Sequence, residues 1–337
     1  MTRRLPLLLL AAVWVIPASA ADPAAKVRQK LYVTNSAGDD VTVIDLATNQ
    51  PVTTITVGPH PHGIATPADQ RFILVTIEGK SPGELVWIDP ATDKVTDRME
   101  VGPAPNQLAV TPDGKTAFVP VDDGNYQIID LEKKKIVDKV FTGGRPHNTV
   151  CSADGKRMYL APMGSPKKVT VAEAATGKVL GEIPFSSVVR PIALSRDEKR
   201  LYAEVDGLVG VEAADVAERK MIHRIPADLT EDEKAKASRS HGLGIRPDQK
   251  ELWECDVEHH AVHVYDITGD APKQTATIPM GESVYWLTFG PDGKTCYVAV
   301  RGHDEVAVVD AEGKKVTARV PVGKEPKRLL VVTVPEK

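Results

Sequence analysis

The sequence predicts an all-β protein: a seven-bladed β-propeller of four-stranded antiparallel blades, closed into a ring. Three observations predict it. A turn of the type Pro-Asp-Gly-Lys recurs along the 337 residues, and short apolar runs of period 2 surround each copy. The two ends of the chain carry complementary parts of one such unit.

The turn occurs as Pro112-Asp113-Gly114-Lys115, Ala153-Asp154-Gly155-Lys156, Pro247-Asp248-Gln249-Lys250 and Pro291-Asp292-Gly293-Lys294. Asp-Gly between alternating apolar residues is a hairpin signal, because glycine supplies the positive φ that such a turn needs. The run before the turn is the first strand of a unit, and a run such as LYVTN or CYVAV after it is the second. A third follows in VTVIDLATNQ, LVWIDPATDK, YQIIDLEKKK, VHVYDITGD and VAVVDAEGKK, and a fourth in PVTTITVG, KVTDRMEVG and KVTARVPVG. Four strands with no helix between them form an antiparallel meander, not a βαβ unit.

Each first strand is preceded by a Gly-x-x-Pro type of step. The residue after that step is His62, Asn106, His147, Ile192, His241, Tyr285 and Lys327, at intervals of 44, 41, 45, 49, 44 and 42 residues. These positions number the blades 1 to 7. Leu31 to Val57 supplies three strands without an inner one, and Pro326 to Val334 supplies an inner strand alone. Joined, they complete blade 7 and leave no free sheet edge. The ring is expected over 30–334 as one domain, after a lead at 21–29 and before a tail at 335–337.

The chain opens MTRRLPLLLLAAVWVIPASAAD. Arg3 and Arg4, the apolar run Leu5 to Ile16 and the exit Ala18-Ser19-Ala20 read as a signal peptide over 1–20, cleaved after Ala20. The run is too short for a membrane span. The Arg3-Arg4 pair leaves the twin-arginine route open beside the general one. A periplasmic or secreted, soluble monomer without membrane insertion is expected. Formal net charge is −4, and loss of two arginines takes it to about −6. That balance gives no global attraction for nucleic acid. Cys151, Cys255 and Cys296 form no CxxC motif and read as buried small hydrophobes, with a Cys255–Cys296 bridge as the alternative.

The stretch LYVTNSAGDDVTVIDLATNQPVTTITVGPHPHGIATPADQ resembles the consensus of the YVTN-repeat β-propellers, and the likeness runs over nearly the whole chain after the leader. The resemblance implies a bacterial secreted or periplasmic propeller. More distantly similar seven-bladed rings serve as lactonases, lyases, dehydrogenase subunits and copper-bearing reductases, and one family member is associated with DNA. The resemblance implies architecture; a site has to be argued from residues.

The lead-in loop to the first strand and the loop between the second and third strands share one face of the disc, the channel mouth. His62, His147 and His241 hold equivalent positions in blades 1, 3 and 5, and the ring spaces them about 103°, 103° and 154° around the axis. Three roles are open for them: hydrogen bonds to neighbouring blades, ligation of zinc or copper with an open fourth position, or contact with a metal-free ligand. Asn106, Tyr285 and Lys327 share that position, with Trp286 beside Tyr285 as a stacking or packing aromatic. Two residues upstream stand His60, Arg145, Arg190 and Arg239. Three arginines in consecutive blades suit a carboxylate or phosphate, unless Glu78, Asp122, Asp123, Asp206, Asp256 and Glu258 on the same face pair with them.

The long interval before His241 comes from PADLTEDEKAKASRS, residues 226–240. Thr230 as N-cap predicts a helix at Leu229–Ala237, either a lid over the mouth or a surface decoration. Glu204 replaces the small residue represented by Thr34 and Thr76. It is the candidate general acid or base if it faces the mouth, and otherwise the partner of a rim arginine. His259-His260 and His303 are further histidines on that face. No HExxH, GxSxG, phosphate-binding loop, EF-hand loop or GxGxxG opening a helix is present.

Three functions follow as alternatives. The first is a propeller that binds a small anionic ligand or a protein partner at its mouth. The second is a copper or zinc enzyme, oxidoreductase or lactonase-like, at the same place. The third is a cell-envelope scaffold. Single-stranded DNA is the nucleic acid that the rim arginines and Trp286 would suit.

Overall fold

Alternating runs joined by short turns pair with their sequence neighbours, and they do so seven times. The computed structural model describes residues 27–234 and 240–336. The expected signal at 1–20 and Arg239 lie outside the described residues. Seven four-stranded antiparallel sheets make the ring. Blade 1 comprises Pro61–Ala65, Ile73–Ile77, Gly83–Asp89 and Lys94–Gly102, and blades 2 to 6 repeat the order to Pro321. In blade 7 the innermost strand, Pro326–Pro335, pairs with Val27–Asn35, followed by Asp40–Asp45 and Gln50–Thr56. Its register sets Lys30 opposite Val332 and Tyr32 opposite Leu330. The strands at this seam run slightly beyond the expected 30–334.

The core lies between blades. Trp253, Val262 and Val264 of blade 5 pack with Val298, Ala307 and Val309 of blade 6, and comparable clusters join the other neighbours. A blade cannot cover its own faces, so the ring folds as one body. Cys255 and Cys296 share that cluster as buried free thiols, so the alternative bridge is not formed. Gly114, Gly155 and Gly293 take positive φ in the hairpins, as expected.

The innermost strands line the axis, and threonines fasten blade 7 to blade 1 and blade 1 to blade 2. Thr34 Oγ1 donates to the His62 carbonyl at 3.0 Å and accepts the Arg328 N–H at 3.0 Å, while Thr76 Oγ1 donates to the Asn106 carbonyl at 2.9 Å. The 226–240 segment carries a helix over Glu231–Lys234 only, shorter than the expected Leu229–Ala237; residues 235–239 lie outside the described residues. Among the described residues no helix is long and apolar enough to cross a membrane.

Candidate ligand site at the channel mouth

The side chains at the mouth come from breaks in strand register. In blade 3 Pro146 pairs with Pro162 and Asn148 with Ala161, so His147 has no partner. The same skip isolates His241 between Ser240 and Gly242, and Tyr285 between Val284 and Trp286. His62 and Gly63, Arg190 and Pro191, and Lys327 and Arg328 fall in corresponding gaps. A bulge frees a residue from the pleat and re-aims its side chain. Such breaks occur in six of the seven blades, all but blade 2.

These residues meet. The His62 and His147 ring centroids are 5.8 Å apart and those of His147 and His241 5.6 Å, both edge to face. Tyr285 stacks on His241 at 3.9 Å, and its hydroxyl lies 2.9 Å from His241 Nε2. His62 Nδ1 is 2.8 Å from Glu78 Oε2, 2.9 Å from Asn106 Nδ2 and 3.4 Å from Lys327 Nζ. Asn148 Nδ2 donates to His147 Nδ1 at 2.7 Å. Burial, joined by the charges of Lys327, Arg328 and their neighbours, holds all three imidazoles well below the usual histidine range, so they are neutral. His62 Nε2 and His241 Nδ1 are buried with no hydrogen-bond partner.

Above the rings is a cavity of about 520 Å³ lined by His62, Asn106, His147, His241, Tyr285 and charged side chains. The charged ones are Arg145, Arg190, Arg301 and Lys327 against Glu78 and Asp206, four cations to two anions. Arg190 Nε is 2.5 Å from Asp206, and Arg145 lies 3.5 Å from Asp122 and 3.7 Å from Glu78. Arg301 pairs with Glu325 and faces the Tyr285 ring at 4.5 Å. Lys327 Nζ lies 3.4 Å from His62 Nδ1 and 3.9 Å from Glu78, and burial draws its pKa down to about 8.

Other expected residues stand elsewhere. His60 has a left-handed backbone (φ 52°), is not among the cavity's lining residues, and its Nδ1 donates to the Ser36 carbonyl at 2.8 Å. The turn that admits the strand points this side chain away. Trp286 packs between blades 6 and 7, with the Arg328 guanidinium on its face at 3.4 Å. Glu204 is fully buried beneath the mouth and pairs with no rim arginine. His259 and His263 both engage Asp256, and His303 lies by Glu305. Met163, Ser240, Val257 and Arg301 complete the lining without having been expected. Arg301 was findable: it follows the second strand of blade 6 where Glu78 and Asp206 follow theirs.

Zinc or copper requires donor nitrogens on one point about 2 Å away. The three histidines are neighbours, yet among the described residues no group of three or more His, Cys, Asp or Glu side chains is arranged to hold a metal ion. The surrounding charge also opposes a dication. At an effective dielectric of about 20, a cation about 6 Å away costs roughly 3 kcal/mol per unit charge, and an anion gains as much.

No protein-family model matches the chain, and no curated protein sequence does. Solved structures match its fold. A putative 6-phosphogluconolactonase from Bacteroides uniformis superposes with a TM-score of 0.77 at 17% identity, over 91% of this chain and 99% of that one. The periplasmic gluconolactonase PpgL of Pseudomonas aeruginosa gives 0.75 at 18% identity, over 91% and 99%. Hydrazine synthase of Kuenenia stuttgartiensis gives 0.73 at 21% identity, over 83% and 92%. At such identities the likeness is one of fold: the chain is a seven-bladed β-propeller.

Proposed function

We propose that this is an exported propeller of the YVTN-repeat type whose mouth captures a small anionic ligand. The observation that carries the reading is the excess of cationic side chains around a cavity of small-molecule size, with neutral imidazoles and Tyr285 as its floor. Arg190 and Lys327 supply charge from opposite sides. The imidazoles and the phenol supply hydrogen bonds that leave the net charge positive. A protein partner would use the same feature by inserting an acidic loop. The expected signal at 1–20 and the fold shared with a periplasmic gluconolactonase support export.

The lactonase names of two structural neighbours make gluconate and 6-phosphogluconate the first probes to try, beside inorganic phosphate. Calorimetric titration of the wild type is expected to yield binding that weakens with added salt. The double variant Arg190→Met/Lys327→Met is expected to lose about 10- to 100-fold in affinity. Equal affinity in the two proteins overturns the reading. Preference for single-stranded DNA over all three probes would replace the small anion by a nucleic acid.

A copper or zinc enzyme is the second reading, favoured by the unpartnered His62 Nε2 and His241 Nδ1. It requires the rings to turn until three nitrogens face one point. Metal analysis of protein purified without an affinity tag, beside His147→Ala, decides it. Stoichiometric metal that vanishes in the variant supports the enzyme, and failure to take up zinc or copper after loading removes it.

A further inference from the structure

The cavity at the mouth contains one amine that the chain holds loosely. Among the described residues Lys327 is the one lysine of its lining, and its side chain is 15% exposed. It sits in the register break of blade 7, where Pro326 pairs with Asn35 and Leu329 with Val33. Lys30 shows what a lysine placed for folding looks like: its Nζ donates to the Pro90 carbonyl at 2.9 Å and meets the Asp93 carboxylate at 2.7 Å. Lys327 Nζ is held less closely, with His62 Nδ1 at 3.4 Å and Glu78 Oε2 at 3.9 Å.

The groups around it suit chemistry at that nitrogen. Glu78 Oε2 is also 2.8 Å from His62 Nδ1, so carboxylate, imidazole and amine form one contiguous cluster. Lys327 Nζ lies 5.9 Å from the centre of the Tyr285 ring and the Arg301 guanidinium 4.5 Å from it. Arg145 and Arg190 line the same cavity. A fixed charge would be supplied by arginine, which does not discharge and which this lining already uses three times. A lysine enclosed beside other cations differs, because its amine becomes a nucleophile. Burial, with the charges of Arg328 and Arg301 against that of Glu78, brings its pKa down to about 8. About a tenth of the amine is then uncharged at neutral pH.

We propose that Lys327 forms an imine with the carbonyl carbon of a small 2-oxo acid, whose carboxylate the rim arginines hold while Glu78 carries the protons. Glu78 takes a proton from the ammonium, the freed lone pair forms the N–C bond, and the carbonyl π pair moves onto oxygen. Glu78 returns its proton to that oxygen and takes a second from nitrogen. It gives this one to the new hydroxyl, which leaves as water as the C=N bond forms. Ammonium and ketone thus become an iminium ion and water, with charge unchanged and no oxidant or reductant required. Catalytic contacts as long as 3.9 Å tighten in many enzymes once substrate is bound. The proposal rests on the anion-binding reading of the mouth and deepens it by naming the ligand class and the residue that reacts.

The test incubates the full chain with pyruvate and sodium cyanoborohydride, which reduces iminium ions and spares ketones, and locates the adduct by peptide mass spectrometry. Lys327 is expected to be labelled at least about 10-fold faster than the exposed Lys133. Acetone, a ketone without a carboxylate, is expected to label Lys327 at least about 10-fold more slowly than pyruvate does. Equal labelling of Lys327 and Lys133 overturns the proposal, and this comparison needs no variant to fold. Lys327→Arg keeps the charge and removes the nucleophile, so it is expected to bind pyruvate in calorimetry and to lose the adduct at this position. Glu78→Gln is expected to slow labelling about 10- to 100-fold while tightening pyruvate binding, a split that a structural role would not produce. Labelling at the wild-type rate in that variant overturns the part given to Glu78. If the wild type binds pyruvate without forming the adduct, the imine falls and the anion-binding reading stands. If it binds none of pyruvate, gluconate, 6-phosphogluconate and phosphate, both fall.

Discussion

On the face opposite the mouth, both hairpins of a blade turn around an aspartate that accepts hydrogen bonds from its own loop. Asp154 takes Ser152 Oγ at 2.7 Å and the Lys156 N–H at 3.0 Å, and Asp197 takes Ser195 Oγ and the Lys199 N–H in the same way. Asp89, Asp130, Asp266 and Asp310 do so at the second hairpin. At the mouth the corresponding residues differ from blade to blade, and several have no partner: His62 Nε2, His241 Nδ1, both oxygens of Glu204 and all three guanidinium nitrogens of Arg328. One face is repeated and, Asn49 Oδ1 apart, satisfied; the other is varied and less so. Polar groups placed for folding are paired within the chain. The groups left open at the mouth are the ones that the proposed anion-binding reading would have a ligand engage.

The contrast makes a prediction of sign: removing a paired polar group should destabilise, and removing an uncompensated charge should stabilise. The largest effect is expected at Glu254, which is fully buried but paired. It accepts from the Gly210 N–H at 2.8 Å, Ser240 Oγ at 2.6 Å and Tyr265 Oη at 2.7 Å, tying blade 4 to blade 5. Glu254→Ala leaves three buried donors without an acceptor and is expected to cost about 3–5 kcal/mol. Urea unfolding measures it. A loss below about 1 kcal/mol would show that buried pairing is not what separates Glu254 from Glu204.

The opposite sign is expected at Lys327. Its pKa falls from 10.5 to about 8 in the folded protein, which makes the charged form cost about 3 kcal/mol at neutral pH. Between about pH 8 and 10.5 the unfolded chain binds the extra proton, so stability rises with pH across that window. Lys327→Met should gain about 1–3 kcal/mol at pH 7 and flatten the alkaline rise. Anion binding should weaken above about pH 8 in the wild type, as the ammonium discharges. The histidines act in the acid range. They stay neutral well below 6.5 when folded, so stability is lost as pH falls below about 6.5, and His147→Asn should reduce that loss. An alkaline rise unchanged by Lys327→Met would break the assignment.

The satisfied face was the legible one. Asp-Gly turns, IDPATDK-like loops and the complementary ends specify hairpins and ring closure through local chemistry, which a sequence displays directly. The mouth was half legible. Ring symmetry alone brought His62, His147 and His241 onto one circle. Their contact depends on bulges, however, and a bulge is a property of register between strands, which no residue type announces. Arg328 was invisible for a related reason. A basic residue in a strand reads as solvent-exposed, and only the closed ring encloses it. Glu204 stood out because it breaks the threonine pattern, but its orientation depended on the neighbouring blade.

The smallest prediction tests the satisfied face where nothing else is at stake. Asp154 is half-exposed at a hairpin tip; the Lys156 N–H and the Ser152 hydroxyl bring its pKa down to about 2. Its hydrogen bonds and its ion pair with Lys156 all lie within its own turn, so its substitution reports the turn alone. Asp154→Ala removes the acceptor but leaves Gly155 its left-handed conformation, so the hairpin should still form, weaker by about 1 kcal/mol. Asp154→Asn keeps an acceptor oxygen and should lose less. Because the folded pKa is depressed, this stability is present above about pH 4 and fades as pH falls toward 2, where wild type and Asp154→Ala should converge. A variant as stable as the wild type at pH 7 would mean that the repeated aspartates do not hold the turns. The division between a face built for folding and a face built for binding would then rest on the mouth alone.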